Sequence, residues 1–160
     1  METSCEAAGE DKIMKIVACG GCFDVIHAGH IKLLEEARKL GDMLIVLVNE
    51  DAYVAGKGPG RPYMPLEDRM TILRALRPVS AVLSFPDDTP CRMLEIIEPD
   101  VFVKYVEYEG KNIPEEATMK KLGGEMVFID SGIDVHSSDI LCGRYIEHTV
   151  PVVGQPRGGR

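Results

Sequence analysis

The sequence predicts an α/β domain built on a doubly wound, Rossmann-like parallel sheet, and three observations lead there. Short apolar runs recur five times, helical patterns lie between them, and the first run turns through paired glycines straight into a helix. The runs are Lys15–Cys19, Met43–Asn49, Ala81–Phe85, Val101–Lys104 and Glu125–Ile129. Continuous apolar strands are covered on both faces, which is the condition of a parallel sheet with helical crossovers. Right-handed crossovers then wind the chain outward to both sides.

The first helix is predicted over Ile31–Leu40, where Leu33, Ala37 and Leu40 recur at i, i+4, i+7 among Lys32, Glu35, Glu36, Arg38 and Lys39. In Leu66–Leu76 the residues Leu66, Met70 and Leu73 make one buried stripe, and Arg77-Pro78 ends it because proline cannot continue a helix. Cys91–Ile97 and Pro114–Leu122 supply the remaining crossovers. At 160 residues the chain is one domain with a substantial core. That single domain is expected over 13–148, between an acidic, flexible segment 1–12 and a flexible tail 149–160 too poor in apolar residues to pack.

Eighteen basic against twenty-six acidic residues give a net charge of −8, which argues against nucleic acid as a partner. No apolar stretch approaches a membrane span, and the acidic start lacks the basic and apolar regions of a signal peptide. The expectation is a cytoplasmic protein with no membrane partner. Five irregularly spaced cysteines suit a reducing compartment. Cys19-Gly20-Gly21-Cys22 has C-x-x-C spacing, but a zinc site needs two more ligands, and neither Cys91 nor Cys142 belongs to a second pair. A redox pair would normally open a helix, whereas this one precedes more turn. Cys19 therefore reads as a small buried strand residue.

Gly20 to His30 carries the chemistry. A strand that turns through glycines into a helix aims free N–H groups and a positive partial charge at one point, where anions bind. His27 and His30 lie at that point, so a phosphate-handling enzyme is expected; the plain alternative is a capping or surface histidine. Gly56, Gly58 and Gly60 let the following loop close over a ligand, with Lys57 and Arg61 as its cations; the alternative is a solvated loop. Asp24 either helps hold Mg²⁺ through water or fixes the turn by accepting backbone N–H bonds. Lys104 ends a strand, where ligands of open α/β sheets gather.

Gly21-Cys22-Phe23-Asp24-x-x-His27-x-Gly29-His30 resembles the signature of the cytidylyltransferase-like nucleotidyltransferases. Lys57–Arg69 and Pro99–Lys104 are most similar to the adenylyltransferase domains of ADP-heptose synthases, and the similarity runs from about Lys15 to Ile140. The resemblance implies transfer from ATP to a sugar phosphate, heptose 1-phosphate above all, with Mg²⁺ or another divalent ion on the triphosphate. It implies His27, His30 and Lys57 as catalytic residues, and nucleotide contacts from Gly21, Cys22, Phe23, Asp24, Gly29, Arg69, Lys104, Ser137 and Ser138. Arg61 and Glu107 are expected at the acceptor, and a homodimer is compatible. Arg69 taken alone reads as an exposed helix residue.

Two departures stand out. Relatives carry Gly-Gly-Asp-Tyr where this chain has Tyr105-Val106-Glu107-Tyr108, so bulk replaces open backbone. They place a Ser-Thr-Thr or Ser-Thr-Ser run at a late helix start, where this chain has His136-Ser137-Ser138 with no arginine before it. Ser137 and Ser138 are expected to cap that helix, with His136 as a substitute cation or a solvated loop residue. His148 has no motif around it. The alternatives are a CTP-dependent cytidylyltransferase acting on glycerol 3-phosphate or a similar alcohol phosphate, and a nucleotide-binding module that has lost turnover.

Overall fold

The computed structural model describes residues 14–133 and 135–143. The segment 1–12, the tail 149–160 and His148 lie outside the described residues. Five strands, β1 (Ile16–Gly21), β2 (Met43–Asn49), β3 (Ala81–Phe85), β4 (Val101–Tyr105) and β5 (Glu125–Ile129), form one parallel sheet in the order β3-β2-β1-β4-β5. The helices are α1 (Ala28–Arg38), α2 (Asp51–Ala55), α3 (Leu66–Arg74), α4 (Cys91–Ile97), α5 (Pro114–Leu122) and α6 (Ser137–Leu141), with a 3-10 turn at Val106–Tyr108.

Residues 44–48 are all buried because side chains of alternate sense meet a covered face on either side. Val17, Val46 and Val103 pack with Leu33, Leu34 and Ala37 of α1 and with Met70 and Leu73 of α3. Ala18, Leu47 and Phe102 pack with Leu94 of α4 and Met119 of α5. Burying one leucine or valine side chain is worth about 1.5–3 kcal/mol. These contacts hold helices that are too short to persist alone.

The doubly wound arrangement is as expected. The chain steps from β1 to β2 to β3 in one direction, and β4 then pairs on the other side of β1, with Val17 opposite Leu44 and Val101. Strand order therefore reverses between β1 and β4, and a crevice opens there at the carboxyl ends.

Several boundaries differ from the sequence expectation. β1 continues through Gly20 and Gly21, which pair with Leu47 and Val48. α1 begins at Ala28 instead of Ile31, so His30 belongs to its first turn. Ala28 and Gly29 carry no apolar signal, which is why periodicity located the start too late. α3 stops at Arg74, short of Leu76. α2 and the 3-10 turn are too short to show a period.

Candidate active site

The turn between β1 and α1 is held in a conformation its residues disfavour. Phe23 and Val25 have φ of 50° and 67°, a region costly for a β-branched residue. Three contacts hold it there. Phe23 is buried in the core. The Val25 carbonyl accepts from Ser137 Oγ at 3.1 Å. Asp24, 2% exposed, accepts from the N–H groups of Tyr63 at 2.9 Å and Met64 at 3.0 Å, with Arg61 Nε 3.3 Å from its other oxygen.

His27 is the N-cap of α1, and its Nδ1 accepts from the Gly29 N–H at 3.2 Å. The N–H of His27 in turn donates to Nδ1 of His30 at 3.3 Å. With both Nδ1 atoms accepting, each neutral ring carries its proton on Nε2. The ring centres lie 3.9 Å apart, and the His30 ring also contacts Phe23 and Tyr105. Burial pushes the His30 pKa down to about 3, with His27 adding to the effect. Burial lowers His27 as well, assisted by His136. A Cβ on Gly29 would come within 3.0 Å of the His27 ring, so only glycine leaves that imidazole its place without displacement.

Arg69 is fully buried, which overturns its reading as an exposed helix residue. It donates to the carbonyls of Met64, Cys22 and Asn49 and to Asp51 Oδ1 at 2.6 Å. Cys22 follows β1, Asn49 ends β2, Asp51 opens α2 and Met64 precedes α3, so the guanidinium ties together the strand ends that frame the crevice.

A cavity of about 670 Å³ occupies the crevice, within the range of small-molecule sites. Of the expected residues, His27, His30, Lys57, Gly21, Cys22, Phe23, Lys104, Glu107 and Ser137 line it. Asp24, Gly29, Arg61, Arg69 and Ser138 do not. Asp24 fixes the turn by accepting backbone N–H bonds, and because these come from Tyr63 and Met64 it clasps the turn to the loop that carries Arg61. Lys57 extends from its loop with Nζ 4.9 Å from the Tyr53 ring centre. Lys104 Nζ sits 2.6 Å from Glu115 Oε1 and 4.7 Å from the Tyr108 ring centre. The cap of α6 is His136, with Ser137 as the first helical residue, which corrects the expectation of serine caps. His136, Tyr105 and Val106 also line the cavity.

Sequence reasoning missed Asp88, Asn49 and Glu115 as lining residues. Glu115 follows Pro114 in a first helical turn, where a carboxylate usually serves the helix dipole at the surface; here it is 3% exposed. Burial pushes the Cys19 thiol up to about 12 and raises that of Cys22, so both are neutral thiols at pH 7.

The cytidylyltransferase-like family profile matches residues 18–142. The chain is 50% identical over 133 residues to the bifunctional protein HldE of Streptomyces coelicolor, covering 82% of this chain and 28% of that protein. It is 48% identical over 117 residues to the bifunctional protein HldE of Hahella chejuensis, covering 72% and 24%. The chain thus spans about a quarter of the length of these relatives. Among solved structures, the lipopolysaccharide core biosynthesis protein of Thermoplasma volcanium superposes with a TM-score of 0.62 at 28% identity, covering 73% of this chain and 97% of that one. A protein of unknown function from Archaeoglobus fulgidus, at 21% identity, shares the fold with a TM-score of 0.59, covering 77% and 94%. Among the described residues no helix is long and apolar enough to cross a membrane. The histidine pair at the crevice, the profile match along most of the sequence and the identity to these relatives agree: the chain belongs to the cytidylyltransferase-like family of nucleotidyltransferases.

Proposed function

We propose that the chain transfers the adenylyl group of ATP to the phosphate of a sugar 1-phosphate, heptose 1-phosphate in particular, and releases pyrophosphate. The observation that carries the reading is the histidine pair, whose Nδ1 atoms are spent on backbone N–H groups and whose Nε2–H donors remain for a ligand. A phosphate monoester has a second pKa of about 6, so the attacking oxygen is already an anion at neutral pH. No base has to remove a proton. The acceptor oxygen bonds to the α-phosphorus as the bond to the bridging oxygen breaks, and pyrophosphate leaves with that electron pair. The chain holds the reactants in line and donates hydrogen bonds where negative charge gathers. Neutral imidazoles at a helix N-terminus perform that task, and Lys57 adds a cation from its loop.

Among the described residues no group of three His, Cys, Asp or Glu side chains is placed to hold a metal ion, and Asp24 is committed to Tyr63, Met64 and Arg61. The divalent ion that the triphosphate calls for arrives on the nucleotide, so MgATP is the substrate. The heptose assignment is supported by the Lys57–Arg69 similarity, by the HldE relatives and by the likeness to the Thermoplasma lipopolysaccharide core biosynthesis protein. The test is pyrophosphate release from ATP, CTP, GTP and UTP, each against heptose 1-phosphate, hexose 1-phosphates and glycerol 3-phosphate. ATP with heptose 1-phosphate is expected to dominate. CTP with glycerol 3-phosphate as the best pair would replace the reading with cytidylyl transfer.

A further inference from the structure

Val25 has φ of 67°, a left-handed conformation that a β-branched residue adopts only where its surroundings impose it. On one side the turn is clamped at Asp24, which accepts from the Tyr63 and Met64 N–H groups. On the other, the Val25 carbonyl accepts from Ser137 Oγ at 3.1 Å, across 112 residues of chain. His27 lies two residues beyond Val25 and caps α1, so the direction of the Val25–Ile26 peptide sets where the histidine pair begins.

We propose that Ser137 is a positioning residue whose hydroxyl acts by holding the strained Val25 turn, and through it His27, and not by donating to the triphosphate. This rests on the nucleotidyltransferase reading and adds the residue that keeps its histidine pair in register. A serine hydroxyl has one proton, and a carbonyl oxygen only accepts. The Ser137 proton is therefore spent on Val25, and the lone pairs it leaves toward the cleft repel a phosphate oxygen. The segment between β5 and α6 is braced to seat that hydroxyl. Gly132, with φ of 65°, donates to Asp130 Oδ1 at 2.8 Å, and Ser131 Oγ bonds both the carbonyl and the N–H of Ile133 at 3.3 Å. The Ile133 carbonyl rests against the first turn of α1, 3.7 Å from where a Cβ on Gly29 would stand. Without the Ser137 bond, Val25 relaxes toward negative φ and His27 moves with it. The edge strand β5 thereby sets the geometry of a turn that follows the central strand β1.

The test is a double-mutant cycle in the full chain, read by pyrophosphate release from MgATP and heptose 1-phosphate and by the ¹⁵N signals of the His27 and His30 imidazoles in the ligand-free protein. Ser137→Ala is expected to lower kcat about 10–100-fold, as for a misplaced reacting group, with KM for ATP within about threefold of wild type. Ser137→Thr keeps the hydroxyl and is expected to restore turnover. Glycine takes positive φ without strain, so Val25→Gly is expected to recover most of what Ser137→Ala loses and to return the imidazole signals to their wild-type positions. Val25→Asn, whose side chain tolerates the same conformation, gives the same reading if the glycine variant fails to fold. An equal loss from Ser137→Ala in the wild-type and Val25→Gly backgrounds, or a loss confined to KM for ATP, would put the hydroxyl on the triphosphate and overturn the proposal. So would imidazole signals that Ser137→Ala leaves in place. Those signals are read without turnover, so a wild-type protein that releases no pyrophosphate counts against the nucleotidyltransferase reading alone.

Discussion

The backbone N–H of His27 donates to Nδ1 of His30 across 3.3 Å, so one histidine of the pair orients the other. The bond serves as a helix cap and as a tautomer lock at once, because it leaves the His30 proton on Nε2. Structural and chemical duties of the ring fall on different nitrogens and can be separated by substitution.

His30→Asn places an amide oxygen near the position of Nδ1 and removes the Nε2–H donor. Turnover is expected to fall about 10²–10³-fold, as for loss of one transition-state donor, with KM for ATP and the melting temperature little changed. His30→Gln keeps a capping oxygen, as glutamine at this helical position does, and carries its amide donor further toward the place of Nε2, so it is expected to keep more activity at similar stability. Steady-state kinetics beside urea unfolding checks both. Equal kinetics in the two variants would refute the division of roles.

The depressed pKa values predict a pH dependence of stability. An unfolded histidine titrates near 6.5, whereas His30 in the fold titrates at about 3. Between those limits the unfolded chain binds more protons, so the contribution is complete above pH 6.5 and is lost progressively as pH falls toward 3. The drop in melting temperature from pH 7 to pH 4.5 is expected to be smaller in His30→Asn than in wild type. No limb of the kcat profile between pH 5 and 8 is expected to belong to His30.

Arg69 and Lys57 are predicted to separate stability from activity. Arg69→Met leaves buried carbonyls unpaired and is expected to cost about 3–5 kcal/mol in urea unfolding. Lys57→Ala is expected to leave the unfolding midpoint in place and to lower kcat/KM about 10–100-fold, since a charge-assisted bond is worth about 1.5–3 kcal/mol. An unchanged kcat/KM returns Lys57 to the solvated surface.

The hydroxyl of Tyr105 is buried with no hydrogen-bond partner among the described residues. Tyr105→Phe keeps the ring beside His30 and removes the unpaired group, so stability is expected to rise by about 1 kcal/mol. Thermal unfolding measures it. A fall in stability would show that the hydroxyl has a partner after all.

The succession of strands and helices was readable because buried strands and amphipathic helices leave a periodic apolar record along the chain. The anion-binding turn was readable for a related reason: β1, its glycines and the first turn of α1 are contiguous, so local sequence specifies them. Periodicity also showed that Met70 and Leu73 are buried, but it could not show that Arg69 beside them is buried too. Its acceptors come from Cys22 and Asn49, far away in sequence. Asp24 was ambiguous for the same reason, since its partners Tyr63 and Met64 lie about forty residues on. Glu115 looked like an ordinary first-turn carboxylate until the fold placed it against Lys104. The sheet, the histidine pair and the family follow from the order of residues along the chain. Which charged groups face the cleft and which hold it together emerged only with the folded molecule, because burial and pairing of a charge depend on strand ends that the closed sheet brings side by side.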